Sequence, residues 1–144
     1  MSMLSFLIIP RDTALYLHII GGLLLIVIPA IILLQIRSKP SWLKVAAAAT
    51  AAVSWITLLP SAILYLVFYP ATKTLIKAGP TPWAHSVVME TKEHWGILLP
   101  VIATLAAWLI FREKYEESRR WYILLIVLAV LMGVMGRIVS TGGS

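Results

Sequence analysis

Residues 14–36 form the run ALYLHIIGGLLLIVIPAIILLQI, which is 23 residues without an aspartate, glutamate, lysine or arginine. A helix rises about 1.5 Å per residue, so about 20 apolar residues suffice to cross a hydrocarbon layer about 30 Å thick. The run does not alternate strictly between apolar and polar residues, as the strands of a membrane barrel do. It therefore predicts a membrane-spanning α-helix.

Three more runs of this kind follow along the chain. Together with the first, they give predicted spans at about residues 14–36, 43–69, 93–111 and 120–139. The chain of 144 residues is 60% hydrophobic and 12% charged, whereas a water-soluble domain carries about 25% charged residues. The composition predicts an all-α integral membrane protein, a single multi-pass domain of the cell membrane in contact with the lipid bilayer. It excludes a disordered, collagenous or nucleic-acid-binding chain.

The connections between the spans favour an up-down-up-down four-helix bundle, because two of them are short and one is longer. Basic residues in short loops favour the cytoplasmic side of the membrane. The loops after the first and third spans hold seven basic residues, and the other side of the membrane holds five. We therefore predict that both termini lie outside.

Two stretches are predicted to lie outside the spans. The apolar stretch Met3–Ile9 is too short to cross a membrane, and it has the features of an interfacial segment rather than of a cleaved signal. The segment Pro70–Glu93 contains Gly79 and Pro80. It is predicted to be the long loop, with Pro70 ending the second helix.

Two histidines lie near the beginnings of the first and third spans. His18 is four residues beyond Ala14, and His94 opens the third span. In an up-down bundle these two helices run in the same direction, so both imidazoles are placed at similar depth near the outer face. Ionisable side chains within spans usually point inward toward a partner or a site. Two imidazoles in these positions suit axial ligation of one haem b, and the alternative is a hydrogen bond between helices.

Small and basic residues near these histidines are compatible with a haem. Gly21 and Gly22 lie on the face of His18, where the lack of side chains lets a flat macrocycle approach the backbone. Arg137, near the end of the fourth span, is placed to pair with haem propionates. Each has a plainer interpretation, since glycines also serve close helix packing and a terminal arginine also extends to lipid headgroups.

The remaining polar candidates carry weaker signals. His85 is predicted to lie in the loop or at the interface, either solvated or as a proton-relay group. If the third helix reached back to it, His85 and His94 would lie on opposite faces. Glu90 and His94 are four residues apart and, together with His18, form a candidate non-haem metal site.

Several chemistries are excluded by what the sequence lacks. The chain has no cysteine, which excludes disulfides, thiolate zinc sites, iron–sulfur clusters and c-type haem attachment. It contains no Gly-x-Ser-x-Gly motif and no phosphate-binding loop, so hydrolytic catalysis has no support.

Three short motifs carry a family resemblance: YLHIIGG at residues 16–22, HWG at residues 94–96 and GVMG at residues 133–136. With them, residues 14–144 resemble the small four-helix membrane proteins catalogued as domain of unknown function 2231, and more broadly the small four-helix b-type cytochrome membrane proteins. The resemblance implies haem-linked electron transfer in a respiratory or redox membrane complex. Such families often end in a Gly-rich stretch with a further histidine, whereas this chain ends in STGGS. Only His18 and His94 therefore carry over as candidate ligands.

The leading hypothesis is a membrane electron-transfer protein or respiratory-complex subunit that holds one bis-His haem b near the outer face. His18 and His94 would be its axial ligands, and the expected partners are a quinone and a larger membrane redox complex, or further copies of the chain. The alternative is a cofactor-free structural subunit of a larger membrane complex, and a metal-linked or proton-linked carrier of small molecules is a third hypothesis. An electron carrier or complex subunit is expected rather than a stand-alone enzyme.

Overall fold

The computed structural model describes residues 9–142, which are helical apart from short connections. Within this range, four helical spans are long and apolar enough to cross a membrane: Arg11–Gln35, Leu43–Ala78, Ala84–Phe111 and Tyr115–Gly142. The prediction of an all-α chain with four helices capable of crossing a membrane is confirmed. The predicted interfacial stretch Met3–Ile9 lies, except for Ile9, outside the described residues.

The four spans are built from α-helices and two π-helical segments. The α-helices of the described chain are α1 (Arg11–Gln35), α2 (Leu43–Ile63), α3 (Tyr69–Ala78), α4 (Glu90–Gly96), α5 (Leu98–Phe111) and α6 (Tyr115–Gly142). The π-helical segments are π1 (Leu64–Phe68), between α2 and α3, and π2 (Ala84–Met89), directly before α4.

The second span continues past Pro70, where the sequence predicted its end. A proline inside an α-helix removes a hydrogen bond, and its ring meets the carbonyl group four residues earlier. Here Pro70 lies in the first turn of α3, directly after π1, and the Tyr69 N–H bonds to the Leu64 carbonyl five residues back. The wider turn accommodates the proline within a continuous helical run. The prediction that Pro70 ends the helix is therefore wrong.

The third span begins at Ala84, nine residues before the predicted start at residue 93. The connection before it consists only of Gly79–Trp83, so the predicted long loop over residues 70–93 is also wrong. The residues after this connection are more polar than a typical span. They form helical turns because several of them, including Ala84, His85 and Val88, are buried against the rest of the bundle.

Two apolar clusters hold the bundle together. The larger one joins α1, α2, α5 and α6 and includes Ile32, Ala47, Ala106 and Leu125, all with no exposed surface. The smaller one consists of Tyr69, Ile76, Ala84, Val88 and Val139. Around both clusters, many large apolar side chains face outward, as expected for a protein surrounded by lipid.

Contacts between the helices gather several polar residues at one end of the bundle. His18 on α1 contacts Ser61 on α2, and the Lys92 side chain on α4 lies against Gly136 on α6. We call this part of the molecule, defined by His18, Ser61, Lys92 and Gly136, the histidine end.

Candidate functional site

His18 lies on the inward face of α1. It shares this face with Ala14, Gly21 and Leu25, which are buried, and it is itself half-buried. Residues three, four and seven positions apart lie on one side of a helix, so the imidazole is directed into the bundle. This confirms that the first-span histidine points inward.

The hydrogen bonds around His18 fix the tautomer of its ring. Its Nδ1 atom lies 2.8 Å from Ser61 Oγ, and Ser61 Oγ donates to the Thr57 carbonyl at 2.7 Å. A serine hydroxyl has a single proton. Because that proton is given to Thr57, the contact with His18 requires Nδ1–H to be the donor. The neutral ring therefore carries its proton on Nδ1 and presents an unprotonated Nε2.

Lys92 is a half-buried residue of α4 whose side chain lies against α6. A Cβ atom built on Gly136 would lie 3.4 Å from Lys92 Nζ and 3.7 Å from Cε, so the lysine side chain covers this glycine. Within residues 9–142, Nζ has neither a hydrogen bond nor an ion pair. An ammonium group without a counter-charge inside a membrane bundle is costly and is a functional candidate by default.

The sequence analysis did not select Lys92, although a signal for it exists. Lys92 precedes Leu99 by seven residues and Ala103 by eleven, and both of these residues pack in the larger apolar cluster. Those spacings place Lys92 on the same helix face as the core residues.

His94 lies on the opposite side of the third span. It is exposed, as are Glu90, Ile97 and Val101 on the same stripe. Its Nδ1–H donates to the Glu90 carbonyl of its own helix at 2.6 Å, which leaves Nε2 directed away from the bundle. His94 and Lys92 are two residues apart, or about 200° around the helix axis. Lys92 is therefore on the half-buried side of α4, and His94 is on the exposed side.

The structure does not bring His18 and His94 together, although each ring has a free Nε2. A bis-His haem b needs both rings directed at one iron, and this arrangement does not fit that requirement. Ligation of one haem by this pair stays a prediction. The candidate metal site of His18, Glu90 and His94 is not assembled either, since residues 9–142 contain no group of three or more possible ligands that could hold a metal ion.

The other residues proposed to surround a haem have separate places. Arg137 is exposed, as a lysine or arginine that extends to the headgroups would be. Gly21 faces Thr57: an added Cβ would lie 2.7 Å from Thr57 Cγ2, so this glycine serves the close approach of α1 and α2. Gly22 has no neighbouring atom within 4 Å of an added Cβ.

His85 is buried rather than solvated in a loop, which corrects the prediction for this residue. Only 3% of it is exposed, because the third helix does reach back to it and turns it inward. Its Nδ1 lies 2.8 Å from the Tyr69 hydroxyl oxygen, and its Nε2 lies 3.8 Å from Glu90 Oε1. The Glu90 side chain is 55% exposed, so the three groups connect a buried phenol to the surface.

Buried ionisable groups are not confined to the histidine end: Tyr122, in the larger apolar cluster, is fully buried, and its hydroxyl group has no partner among residues 9–142. His18, Tyr69, His85 and Lys92 lie at the histidine end, where Glu93 Oε1 is also buried without a partner among residues 9–142.

Comparison of the chain with protein-family models, with curated proteins and with solved structures finds no match.

Proposed function

We propose that this chain is a redox subunit of a membrane complex and that it works at the histidine end, with His18 as the residue that meets the redox partner. In this proposal the four spans form an up-down-up-down bundle with both termini outside. The histidine end then lies at the outer face of the membrane, as the distribution of basic residues among the loops indicates.

The observation that carries the proposal is the state of His18. An inward-facing imidazole whose Nδ1–H is held by Ser61 presents a free Nε2. This is the nitrogen that binds a metal or accepts a proton, and a hydrogen bond at the other nitrogen is what orients such histidines. Lys92, at the same end of the bundle, supplies a positive charge for a developing negative one.

A haem b is a candidate cofactor for this site, and the residues fit it only in part. His18 Nε2 would hold the iron, Ser61 would orient the ring, and Lys92 would face a propionate. His94 does not fit as the second ligand in this arrangement. Haem iron, when bound, supplies one-electron transfer.

Proton exchange with the outside is the second part of the proposed function. If Tyr69 donates its hydroxyl proton to His85 Nδ1, the neutral ring carries its own proton on Nε2, which faces the Glu90 carboxylate. The imidazole can then accept a proton on one nitrogen and release one from the other. This arrangement provides a path for protons between the buried phenol and the surface.

The test of the proposed function is a redox titration of the purified chain in lipid nanodiscs. We expect either a reducible b-type haem spectrum or reversible binding of a quinol, and we expect His18→Phe to abolish the signal that is found. The control is His94→Phe, which removes an exposed ring. A colourless protein that binds no quinol would contradict a redox role.

The alternative function, a cofactor-free structural subunit, is favoured by one observation. The stripe of Glu90, His94, Ile97 and Val101 faces away from the bundle and places polar groups where another subunit could contact them. Under this alternative, the colourless chain would co-purify with a larger membrane complex, and Glu90→Leu together with His94→Leu would release it.

A further inference from the structure

We infer that an open cavity between the end of α1 and the beginning of α6 binds a membrane lipid by its phosphoethanolamine headgroup. The cavity has a volume of about 520 Å³. One of its lining residues, Ile36, is about 27 Å along α1 from His18, so the cavity is at the other end of the bundle from the histidine end. The inference is independent of the proposed redox function.

The first step concerns the level of the cavity in the membrane. Its lining consists of Ile36, Arg37 and Lys39, which follow α1, and of residues 113–117, which lie between α5 and α6 and in the first turn of α6. The helices that end or begin here belong to spans long and apolar enough to cross a membrane. Where such spans end, acyl chains give way to lipid headgroups.

The second step concerns the charged side chains of the cavity that are already paired. Lys114 Nζ lies 3.5 Å from Glu117 Oε1, and Glu113 Oε1 lies 3.4 Å from Lys44 Nζ of α2. These two ion pairs balance their own charges. They therefore leave the remaining charged residues of the lining to decide what the cavity can bind.

The third step concerns the charges that remain. Lys39 Nζ lies 4.8 Å from the centroid of the Tyr115 ring and has no carboxylate partner within residues 9–142. In the same described range, neither Arg37 nor Glu116 has a hydrogen bond or an ion pair from its side chain. All three charged residues line the one cavity. The cavity thus offers two cations and one anion that do not pair with each other.

The fourth step identifies the headgroup that complements these charges. A phosphoethanolamine group carries a negative phosphate and a primary ammonium group. The phosphate can accept from Arg37, whose planar guanidinium binds phosphate in a bidentate manner, and from Lys39. The ammonium group can donate to Glu116. A phosphatidylglycerol headgroup offers no cation for Glu116, and the choline ammonium of phosphatidylcholine has no N–H group to donate.

The fifth step explains why the occupant is a lipid rather than a free headgroup. A second cleft, of about 310 Å³, shares Glu117 with the cavity and is also lined by Arg120, Trp121 and Leu124. Positions three, four and seven residues beyond Glu117 form one stripe of α6. The stripe reaches Leu124, an exposed apolar residue about 10 Å further along the helix. This cleft gives the glycerol group and the upper acyl chain a place beside the headgroup.

The experiment measures lipid binding to the purified full chain in detergent by native mass spectrometry. Phosphatidylethanolamine, phosphatidylglycerol and phosphatidylcholine with identical acyl chains are titrated separately. We expect phosphatidylethanolamine to bind about threefold to fivefold more tightly than the other two, because only its headgroup forms an ion pair with N–H donors to an exposed carboxylate. Free phosphoethanolamine at the same concentration should not displace it, since it lacks the part that lies along α6.

Matched variants separate the site from general effects of charge. Glu116→Gln should lower phosphatidylethanolamine binding to the level of phosphatidylcholine and leave phosphatidylcholine binding unchanged. Arg37→Gln combined with Lys39→Gln should weaken the binding of all three lipids about tenfold, because all three contain the phosphate. Asp12→Asn, which removes an exposed carboxylate near the beginning of α1, should bind as the unmodified chain does. Helical circular dichroism identifies variants that remain folded.

The possible results lead to different conclusions. Equal binding of phosphatidylethanolamine and phosphatidylcholine, or an unchanged preference in a folded Glu116→Gln variant, would overturn the inference. Tighter binding of phosphatidylglycerol would also overturn it and would identify a site for anionic lipid. Displacement by free phosphoethanolamine would show that the ligand is a soluble molecule instead of a lipid. None of these results bears on the redox titration, so the two proposals can fail separately.

Discussion

The His18 ring and the Ser61 hydroxyl group are 2.8 Å apart, and this contact determines which ring nitrogen carries the proton. Ser61 uses its own proton for the Thr57 carbonyl, so it can only accept from His18. Ser61 of α2 therefore determines which nitrogen of His18 carries the proton, and no sequence motif identifies Ser61. The site depends on the packing of α1 against α2 as much as on the histidine itself.

Replacing Ser61 by alanine should free the His18 ring. The Nδ1–H group would lose its acceptor, so we expect the free energy of unfolding to fall by about 1 kcal/mol and the ring to populate both neutral tautomers. Nitrogen-15 NMR of labelled histidine measures the tautomers, and denaturant unfolding measures the stability. The control is Ser86→Ala, which removes an exposed hydroxyl group that donates to the Pro82 carbonyl. An unchanged His18 spectrum in Ser61→Ala would contradict the assignment.

Gly21→Ala should destabilise the contact between α1 and α2. The new Cβ would lie 2.7 Å from Thr57 Cγ2, and Thr57 is held by a hydrogen bond from its hydroxyl to the Val53 carbonyl. Overpacking of this kind costs about 1–3 kcal/mol. Gly22→Ala is the matched control, because nothing lies within 4 Å of its added Cβ, and alanine favours the helix over glycine by up to about 1 kcal/mol.

A double variant tests the cause of that loss. Thr57→Ala combined with Gly21→Ala removes the obstructing hydroxyl and methyl groups of Thr57 and should recover most of the stability. If Gly21→Ala alone unfolds at the same denaturant concentration as Gly22→Ala, the close approach of the two helices does not exist.

Tyr69→Phe should loosen the connection between the second and third spans. The substitution leaves the buried His85 without its 2.8 Å partner, and a buried polar group without a partner costs about 1–3 kcal/mol. Tyr65→Phe is the control, since the Tyr65 ring stacks on Tyr69 at 5.5 Å between centroids and this contact needs no hydroxyl group. Thermal unfolding and the rate of His85 modification by diethyl pyrocarbonate measure the effect. Equal behaviour of the two variants would mean that the hydrogen bond contributes nothing.

The spans were predictable because long apolar runs have few other stable forms in a protein of this composition. The helix bounds were less predictable, since polar residues near Lys92 and the proline at position 70 both indicate the end of an apolar helix. In the folded chain π1 accommodates Pro70, and the burial of His85 keeps the polar turns of the third span helical. Both the accommodation of Pro70 and the burial of His85 depend on neighbours that are distant in sequence.

The sequence predicts that His85 and His94 lie on opposite faces of the helix, but it does not predict which of the two rings faces inward. His94 follows His85 by nine positions, which places the two rings on opposite faces of a continuous helix. In the structure His85 is buried and His94 is exposed. Which ring faces inward depends on the contact of His85 with Tyr69 across the Gly79–Trp83 connection. The spacing of Lys92 from Leu99 and Ala103 predicts that Lys92 lies on the same helix face as these core residues. The sequence analysis concentrated on the histidines and missed this signal.

A haem-loaded preparation would distinguish the two candidate ligands. In this structure His18 points inward and His94 is exposed, so His18→Ala should remove the b-type Soret band and His94→Ala should retain it. The absorption spectrum of each variant, recorded after reduction with dithionite, measures the outcome. Loss of the band in both variants would show that the two rings share the iron in the haem-loaded protein, as the sequence predicts.

The membrane orientation can be tested directly, because the chain has no native cysteine. Pro82→Cys places a thiol in the exposed connection before the third span, and Glu116→Cys places one in the first turn of α6. The loops after the first and third spans hold the larger number of basic residues, so Glu116 should face the cytoplasm and Pro82 the outside. A membrane-impermeant maleimide applied to intact cells should label Pro82→Cys at once and Glu116→Cys only after permeabilisation. The reverse pattern would place His18 and Lys92 at the cytoplasmic face, where protons released from the site would enter the cell instead of leaving it.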